Sequence, residues 1–555
     1  MRPGALLRAG LGVSDGDTQS PPWPVAHRVL LTGLLALGVA LRWSCAIRPY
    51  WIDEAWVLNS VRSTTLSEMF AYPEWVQTTP PGLLLLLRGL VQATPQAMDA
   101  LRWPFMLCGV VSLLLLVRLA SNVLGRGFVG LACALFALSP AIVWNATEIK
   151  QYSGDALALI SSLLLGAAYI RHPTRTGLRH WCLLNLAFLP LSFTAVFSLP
   201  AMVVAGVLLS DAPTWRMRLR AVLPHALITA VAVGVLYVVF VRPHAGMASL
   251  TSFWAQGFYA SSGESPLFYG RRTLSVMFGF LDIKLVPASG AIALIIVSAI
   301  GLLGLWRALG KTRQQRVAWI CLLVLPVAAT LAANLIGVYP VSEYRMVAFL
   351  APCVIIIFAL GLEQGARMLF ACCAVPTRLK CEQGLGLVLA LATAVYMATI
   401  LNLALWRSAP HGDVWLWRGN TEIRPALHYL REVDALQRPV FVHAYYQQLF
   451  KLYTHSAALS APVSFAQSGW PCCVPGRPWH SYAPDHDEVT QEVTTLVARH
   501  GSQPFYVLLY ARPSWPSRDS AAVYETQFAA RHCATSWRFD TNRVALLKVE
   551  CAASE

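Results

Sequence analysis

Charge is what this 555-residue sequence has least of. Only 13% of its residues are Asp, Glu, Lys or Arg, about half of the roughly 25% usual in soluble domains. With 56% hydrophobic residues and a mean hydropathy of +0.53, much of the chain belongs in lipid. There is no Walker-type phosphate loop and no Gly-rich dinucleotide fingerprint, which argues against an ATP-driven pump and a Rossmann-type nucleotide-sugar enzyme. A Gly-x-Ser-x-Gly elbow, zinc-ligand spacing and an internal repeat are also absent.

What is present is a series of apolar stretches of the length, about 17–25 residues, that crosses a hydrocarbon core. Nine stand out: Val29–Ile47, Phe105–Val123, Phe128–Trp144, Asp155–Ile170, Ala221–Val241, Ala291–Trp306, Val317–Ile336, Met346–Leu362 and Leu385–Trp406. The stretch Trp181–Leu209 is too long for one span and is interrupted by Pro190 and Pro200. Basic residues decide the case. Arg171, Arg175 and Arg179 precede it and Arg216, Arg218 and Arg220 follow it. Both loops are cytoplasmic by the positive-inside rule, so the chain crosses twice, as Trp181–Phe193 and Thr194–Leu209. The expectation is a polytopic α-helical membrane protein of about eleven transmembrane helices, with everything after Trp406 outside. The first span reads as a retained helix and not as a cleaved leader. The net charge of +15 is then mostly topology. The Arg clusters punctuate spans without aromatic interleaving, which excludes a nucleic-acid partner.

The carboxylates are distributed unevenly. On this topology the outer face gathers Asp53, Glu54, Glu68, Glu74, Asp99, Glu148, Asp155, Glu264, Asp282 and Glu343. It also carries Lys150, Arg242, Arg271, Arg272, Lys284 and Arg345. Adjacent carboxylates at the mouth of a membrane helix, as at Asp53-Glu54, are costly unless they carry function. They also suit a helix N-terminus, and Ala55–Phe70 has helical spacing. Pro80-Pro81 then opens Gly82–Val91, an apolar segment too short to span, which reads as a helix lying in the interface. Trp-rich outer segments read as an aromatic belt.

Taken in order, the outward Asp-Glu pair, the Pro-Pro interfacial helix and a basic-aromatic outer loop resemble the GT-C membrane glycosyltransferases. The nearest groups are the protein O-mannosyltransferases and the bacterial lipid A aminoarabinose transferases, and the resemblance covers Val29 to Trp406. It implies that the acidic pair, here Asp53 with Glu54, supplies the catalytic carboxylate. It also implies that Glu148-Ile-Lys150-Gln-Tyr152 matches a Glu-x-Arg-x-Tyr-like stretch, with Lys in place of Arg. Where relatives carry Lys or His before the Pro-Pro pair, this chain has Thr78-Thr79, so Arg345, within Glu343-Tyr344-Arg345, is the substitute phosphate partner. Glu148, Lys150, Tyr152, Tyr344 and Arg345 are the expected substrate-binding residues. Two carboxylates could also hold a divalent metal, although the only imidazole considered for it is His244.

The implied activity moves a sugar from a polyprenyl-phosphate donor to a hydroxyl of a lipid, glycan or protein. The site would face the periplasm from a bacterial inner membrane. The alternatives are a secondary transporter or lipid-linked-glycan flippase, a polysaccharide polymerase or ligase, and a non-catalytic scaffold. Transporters place charge at the bilayer midplane and show repeats, whereas here charge gathers at the outer boundary.

Residues 407–555 are polar, rich in turns and alternate helix with strand, which predicts a small extracytoplasmic α/β domain after the membrane domain of residues 1–406. Strands are expected at Pro439–Ala444 and Phe505–Tyr510, with Trp537–Phe539 pairing against Val544–Val549. Helices are expected near Ile423–Leu436, Gln447–Ala457, Val489–His500 and Ala521–His532. Four cysteines fall here, Cys472, Cys473, Cys533 and Cys551; they allow three pairings, and the sequence does not choose among them.

Overall fold

In a computed structural model the described residues are 23–71, 78–94, 98–245, 254–281, 287–308, 310, 312–372, 378–406, 423–433, 437–443, 446–455, 459–465, 486–510, 520–540 and 544–552. Glu74, Asp282, Lys284, Cys472 and Cys473 lie outside them, as does the side chain of His244.

Eight helices among the described residues are long and apolar enough to cross a membrane. The chain enters through α1 (Val25–Ala46) and turns into α2 (Ile52–Val61), which carries Asp53 and Glu54 at its start. After α3 (Pro81–Ala93) come α4 (Trp103–Ala120), α5 (Arg126–Leu138), α6 (Tyr152–Arg171), α7 (Arg175–Phe188), α8 (Leu199–Leu209) and α9 (Trp215–Leu236). The series closes with α10 (Ala288–Ala308), α11 (Arg313–Leu335), α12 (Ala351–Cys372) and α13 (Arg378–Trp406). The difficult stretch is indeed two helices. α7 ends at Phe188, a 3-10 turn runs Phe193–Ser198, and α8 starts with Pro200 in its first turn, where proline is tolerated.

Two expectations need correction. Phe128–Trp144 is not one span. Ser139-Pro140 breaks it, leaving the thirteen-residue α5 followed by Pro140–Asn145, because proline cannot donate the hydrogen bond that would continue the helix. Ala55–Phe70 is likewise two pieces. α2 stops at Val61, and Thr65 caps a separate turn at Leu66–Phe70 by accepting from the Glu68 N–H at 3.1 Å.

α5 is the buried centre of the helical layer, with every residue from Gly127 to Leu138 inside. Its close neighbour is α13: a Cβ on Gly127 would lie 2.7 Å from the carbonyl of Gln383, and one on Gly386 would lie 2.7 Å from Gly127. Paired glycines thus let two backbones meet without side chains between them. One end of the bundle collects Arg171, over the Trp319 ring at 5.8 Å, and Gln315, which donates to the Ile170 carbonyl at 3.2 Å. The other end collects Asp53, Ile149 and Arg345.

The C-terminal residues form a five-stranded sheet in the order β2-β1-β3-β5-β4. Its strands are β1 (Val440–Val442), β2 (Val463–Phe465), β3 (Phe505–Tyr510), β4 (Cys533–Asp540) and β5 (Val544–Cys551). β1 runs parallel to β2 and β3, while β5 is antiparallel to β3 and β4. β2 had no counterpart in the sequence reading: three residues are too few to show a period. Cys533 pairs with Cys551 in a disulfide across the β4–β5 edge.

The sheet is buried on both faces. Phe441, Val507, Leu509 and Leu547 face the helices His486–His500 and Ser520–Ala529. Val440, Val442, Tyr506, Leu508 and Leu546 join one core with Tyr50, Ala55, Leu58, Leu83 and Leu87 of the first outer loop. The period-two alternation of side chains therefore fastens the sheet directly onto the segment that carries the acidic pair.

Candidate active site at the mouth of the helix bundle

The two carboxylates point in different directions because they occupy successive positions of a helical turn. Glu54 turns inward and is fully buried. Its Oε1 accepts from Arg102 Nε at 2.8 Å and from the Ile149 N–H at 3.1 Å. Its Oε2 accepts from Arg102 Nη2 at 2.5 Å and from the Trp51 N–H at 3.2 Å. Arg48 adds charge at 3.9 Å. Burial alone would push the Glu54 carboxyl up, but Arg102 and Arg48 outweigh it and hold it below the usual carboxylate range. The two-pronged grip of Arg102 also ties α2 to the start of α4. Arg102 completes its bonds on the carbonyls of Ala46, Arg48 and Pro49.

Asp53 turns outward, its side chain 14% exposed. Arg345 Nη1 donates to Oδ2 at 2.8 Å, while Oδ1 has no hydrogen-bond partner among the described residues. Arg345 Nε also lies 2.7 Å from Glu343, an ion-pair distance without hydrogen-bond alignment. The guanidinium sits between two tryptophans, its carbon 6.0 Å from the Trp51 ring and 5.6 Å from the Trp254 ring.

Lys150 is the second cation. Its Nζ lies 4.6 Å from the Trp56 ring, and among the described residues no carboxylate forms an ion pair with it. Burial pushes its pKa down to about 8, an effect partly offset by Asp53 and Glu148 and reinforced by Arg345. Glu148 accepts from the Trp144 indole N–H, and Arg48 stacks 3.9 Å from that same ring while donating to Thr147 at 2.6 Å. Tyr152 is buried one turn further in. The Tyr344 ring packs on Gly279, where a Cβ would lie 2.5 Å from the ring, and its hydroxyl is buried without a hydrogen-bond partner.

Asp53, Lys150 and Arg345, far apart in sequence, thus meet at one end of the bundle, with Glu54 and Glu148 just beneath. Two features escaped the sequence reading. Arg102 showed no signal beyond standing three residues before the apolar run that starts at Phe105. Trp-rich outer segments read collectively as an aromatic belt, and in the fold the rings of Trp51, Trp56, Trp144 and Trp254 each carry a cation of this site. Among the described residues no group of three His, Cys, Asp or Glu could hold a metal ion.

Helix order, an acidic pair at one end of the bundle and the C-terminal sheet give a polytopic helical fold that resembles the GT-C membrane proteins. The chain is similar to ArnT from Cupriavidus metallidurans in the apo state, at 14% identity over 94% of this chain and 98% of that one, with a TM-score of 0.50. ArnT from the same organism bound to undecaprenyl phosphate aligns over 94% and 97%, at 14% identity and a TM-score of 0.47. The Archaeoglobus fulgidus oligosaccharyltransferase in complex with zinc and sulfate aligns over 87% of this chain and 68% of that one, at 14% identity and a TM-score of 0.47. No protein-family model and no curated protein sequence matches the chain. At such identity the likeness is one of fold.

Proposed function

We propose that this protein is a membrane glycosyltransferase that moves a sugar from a polyprenyl-phosphate donor to a hydroxyl on the extracytoplasmic face. The observation that carries the reading is the half-open Asp53, one oxygen held by Arg345 and the other without a hydrogen-bond partner among the described residues, beside a second buried cation at Lys150. In this reaction Asp53 Oδ1 accepts the proton of the acceptor hydroxyl as its oxygen bonds to the sugar's anomeric carbon. The bond from that carbon to the phosphate oxygen breaks, and the lipid phosphate leaves with the electron pair. Arg345 and Lys150 stabilise the charge that develops there. Glu54, with both oxygens engaged, acts in this scheme by fixing the helix from which Asp53 projects.

The face follows from charge. The end that holds Arg171 is the one that the positive-inside rule assigns to the cytoplasm, and the acidic pair is at the other end. An outward site fits a lipid-linked donor, since the chain has no nucleotide-binding motif. Purified protein in detergent or vesicles should transfer sugar from polyprenyl phosphate-sugar and not from a nucleotide-sugar alone. Robust transfer from the nucleotide donor would sink the proposal. Mass spectrometry of envelope glycans in a deletion strain would name the sugar and the acceptor.

A further inference from the structure

Arg42 lies within α1 and is fully buried. It donates from Nη1 to the carbonyls of Gly38 at 2.9 Å and Ala137 at 3.0 Å, and from Nη2 to that of Phe136 at 3.1 Å. Phe136 and Ala137 are in the last turn of α5, so the arginine caps the helix that Ser139-Pro140 interrupts. Its Nε has no partner, and among the described residues no carboxylate pairs with the guanidinium. The partial negative charge of a helix C-terminus, about half an elementary charge, offsets only part of a buried cation.

The spare Nε–H stands at the wall of a cavity. Gly109 lines that cavity, and a Cβ on Gly109 would lie 3.4 Å from Arg42 Nε. Ser153 also lines it, with a buried hydroxyl that has no hydrogen-bond partner, and Asn145 contributes an amide. No acidic residue lines the cavity, and Phe136, Ile142 and Ala156 supply apolar wall. The volume is about 20 Å³, against roughly 10–15 Å³ for one water. A space this small favours an occupant little larger than water. One positive charge, several hydrogen-bond donors and no negative group define an anion site.

We propose that this cavity binds a halide-sized monovalent anion, chloride in the first instance. Tyr152 and Ala348 line it, and they stand two and three residues along the chain from Lys150 and Arg345, cations of the candidate active site. Its role is to balance Arg42 where α1, α4, α5 and α6 converge. The inference stands apart from any transferase activity.

The test uses the full chain in detergent, exchanged into gluconate and titrated with chloride or bromide at constant ionic strength. The thermal midpoint should rise by several degrees and saturate, as expected for a ligand that binds only the folded state. Bromide-soaked crystals should show an anomalous peak within hydrogen-bonding reach of Arg42 Nε and Ser153 Oγ. Ser153→Ala removes one donor and should raise the half-saturating halide concentration by roughly two- to tenfold. Arg42→Gln should abolish the halide effect; should that variant fail to fold, Ser153→Ala carries the test. Identical melting in gluconate and chloride, a response unaltered in Ser153→Ala, or bromide at surface positions only (an adventitious ion only) would each overturn the proposal and leave water as the occupant.

Discussion

Asp53 and Glu54 are neighbours in the chain, yet they belong to two different regions of the molecule. The Glu54 region is dry and closed. Glu54 and Arg102 expose 0% and 2% of their side chains, and every acceptor on the carboxylate is engaged. The Asp53 region is partly open, with 14% and 10% exposure for Asp53 and Arg345 and one carboxylate oxygen unused. Both hold an arginine-carboxylate pair, and only the second has room for a reacting atom. A saturated buried pair supports a frame, and an unsaturated one at its edge can do chemistry.

The comparison breaks most sharply on activity. Asp53→Asn keeps the shape and removes the proton acceptor, so turnover should fall by about 10²–10⁴-fold while the thermal midpoint stays near that of the wild type. If Asp53→Asn retained near-full transfer while Glu54→Gln abolished it without loss of stability, the roles would have to be exchanged. If both variants kept full activity, the site reading would be wrong and a transporter would lead.

Stability should break the other way. Removing one partner of a buried pair strands the other charge, at a cost of about 3–5 kcal/mol. Glu54→Ala and Arg102→Ala should therefore unfold early, whereas Arg345→Ala, whose partners Asp53 and Glu343 keep 14% and 9% exposure, should lower the midpoint by less. The pH dependence has the same origin. The Glu54 carboxyl is held below its ordinary range, so its contribution is present above the ordinary glutamate value and is lost as pH falls through the depressed one. Denaturation curves between pH 7 and 4 should show no loss from this pair until the acid end.

Next in size is the leaving-group side. Arg345→Ala should cost transfer about 2–4 kcal/mol, as for the loss of one preorganised donor in a dry site, and Arg345→Lys should recover only part because the planar fork is lost. Lys150 gives the pH signature. With its pKa at about 8, it is charged below that value and neutral above it, so kcat/KM should fall as pH rises through about 8. Its folded value lies under the ordinary 10.5, so stability from this group rises between those two values and unfolding cannot explain the fall. Lys150→Arg should shift the fall upward; a wild-type profile flat to pH 10 would remove Lys150 from the mechanism.

How much of this was legible in the sequence depends on distance along the chain. Most of the long apolar helices, the division of the stretch around Pro190 into two helices and strands such as Phe505–Tyr510 are local signals, and they stand in the fold. The acidic pair was legible because carboxylates are scarce and two stand together. Which of them faces the opening was not, since a turn of helix decides it and Arg102, forty-eight residues away, enforces it. The ring–cation contacts were not legible for the same reason: composition puts aromatics at the interface, and only the fold brings Lys150 onto Trp56 and Arg345 near Trp51 and Trp254.

The smallest expected effect tests how the two regions are held in register. α2 is braced from behind by Gln447–Thr454. Asn59 donates to the Gln448 carbonyl and to its side-chain oxygen, both at 2.9 Å, and the Tyr50 N–H reaches the Tyr453 hydroxyl at 3.1 Å. Gln448→Ala removes one buried hydrogen bond, worth about 0.5–1.5 kcal/mol, and touches no part of the opening. If the C-terminal sheet only adds stability, the thermal midpoint should drop slightly and kcat should not change. If it also sets the angle of α2, kcat should fall several-fold with KM almost constant, because a small misplacement of the base acts on the reacting geometry and not on donor binding. Gln448→Glu, which keeps the acceptor oxygen, should then recover most of the lost turnover. We expect the second pattern, since one core unites Leu449 and Phe450 with Ala55 and Leu58 of α2.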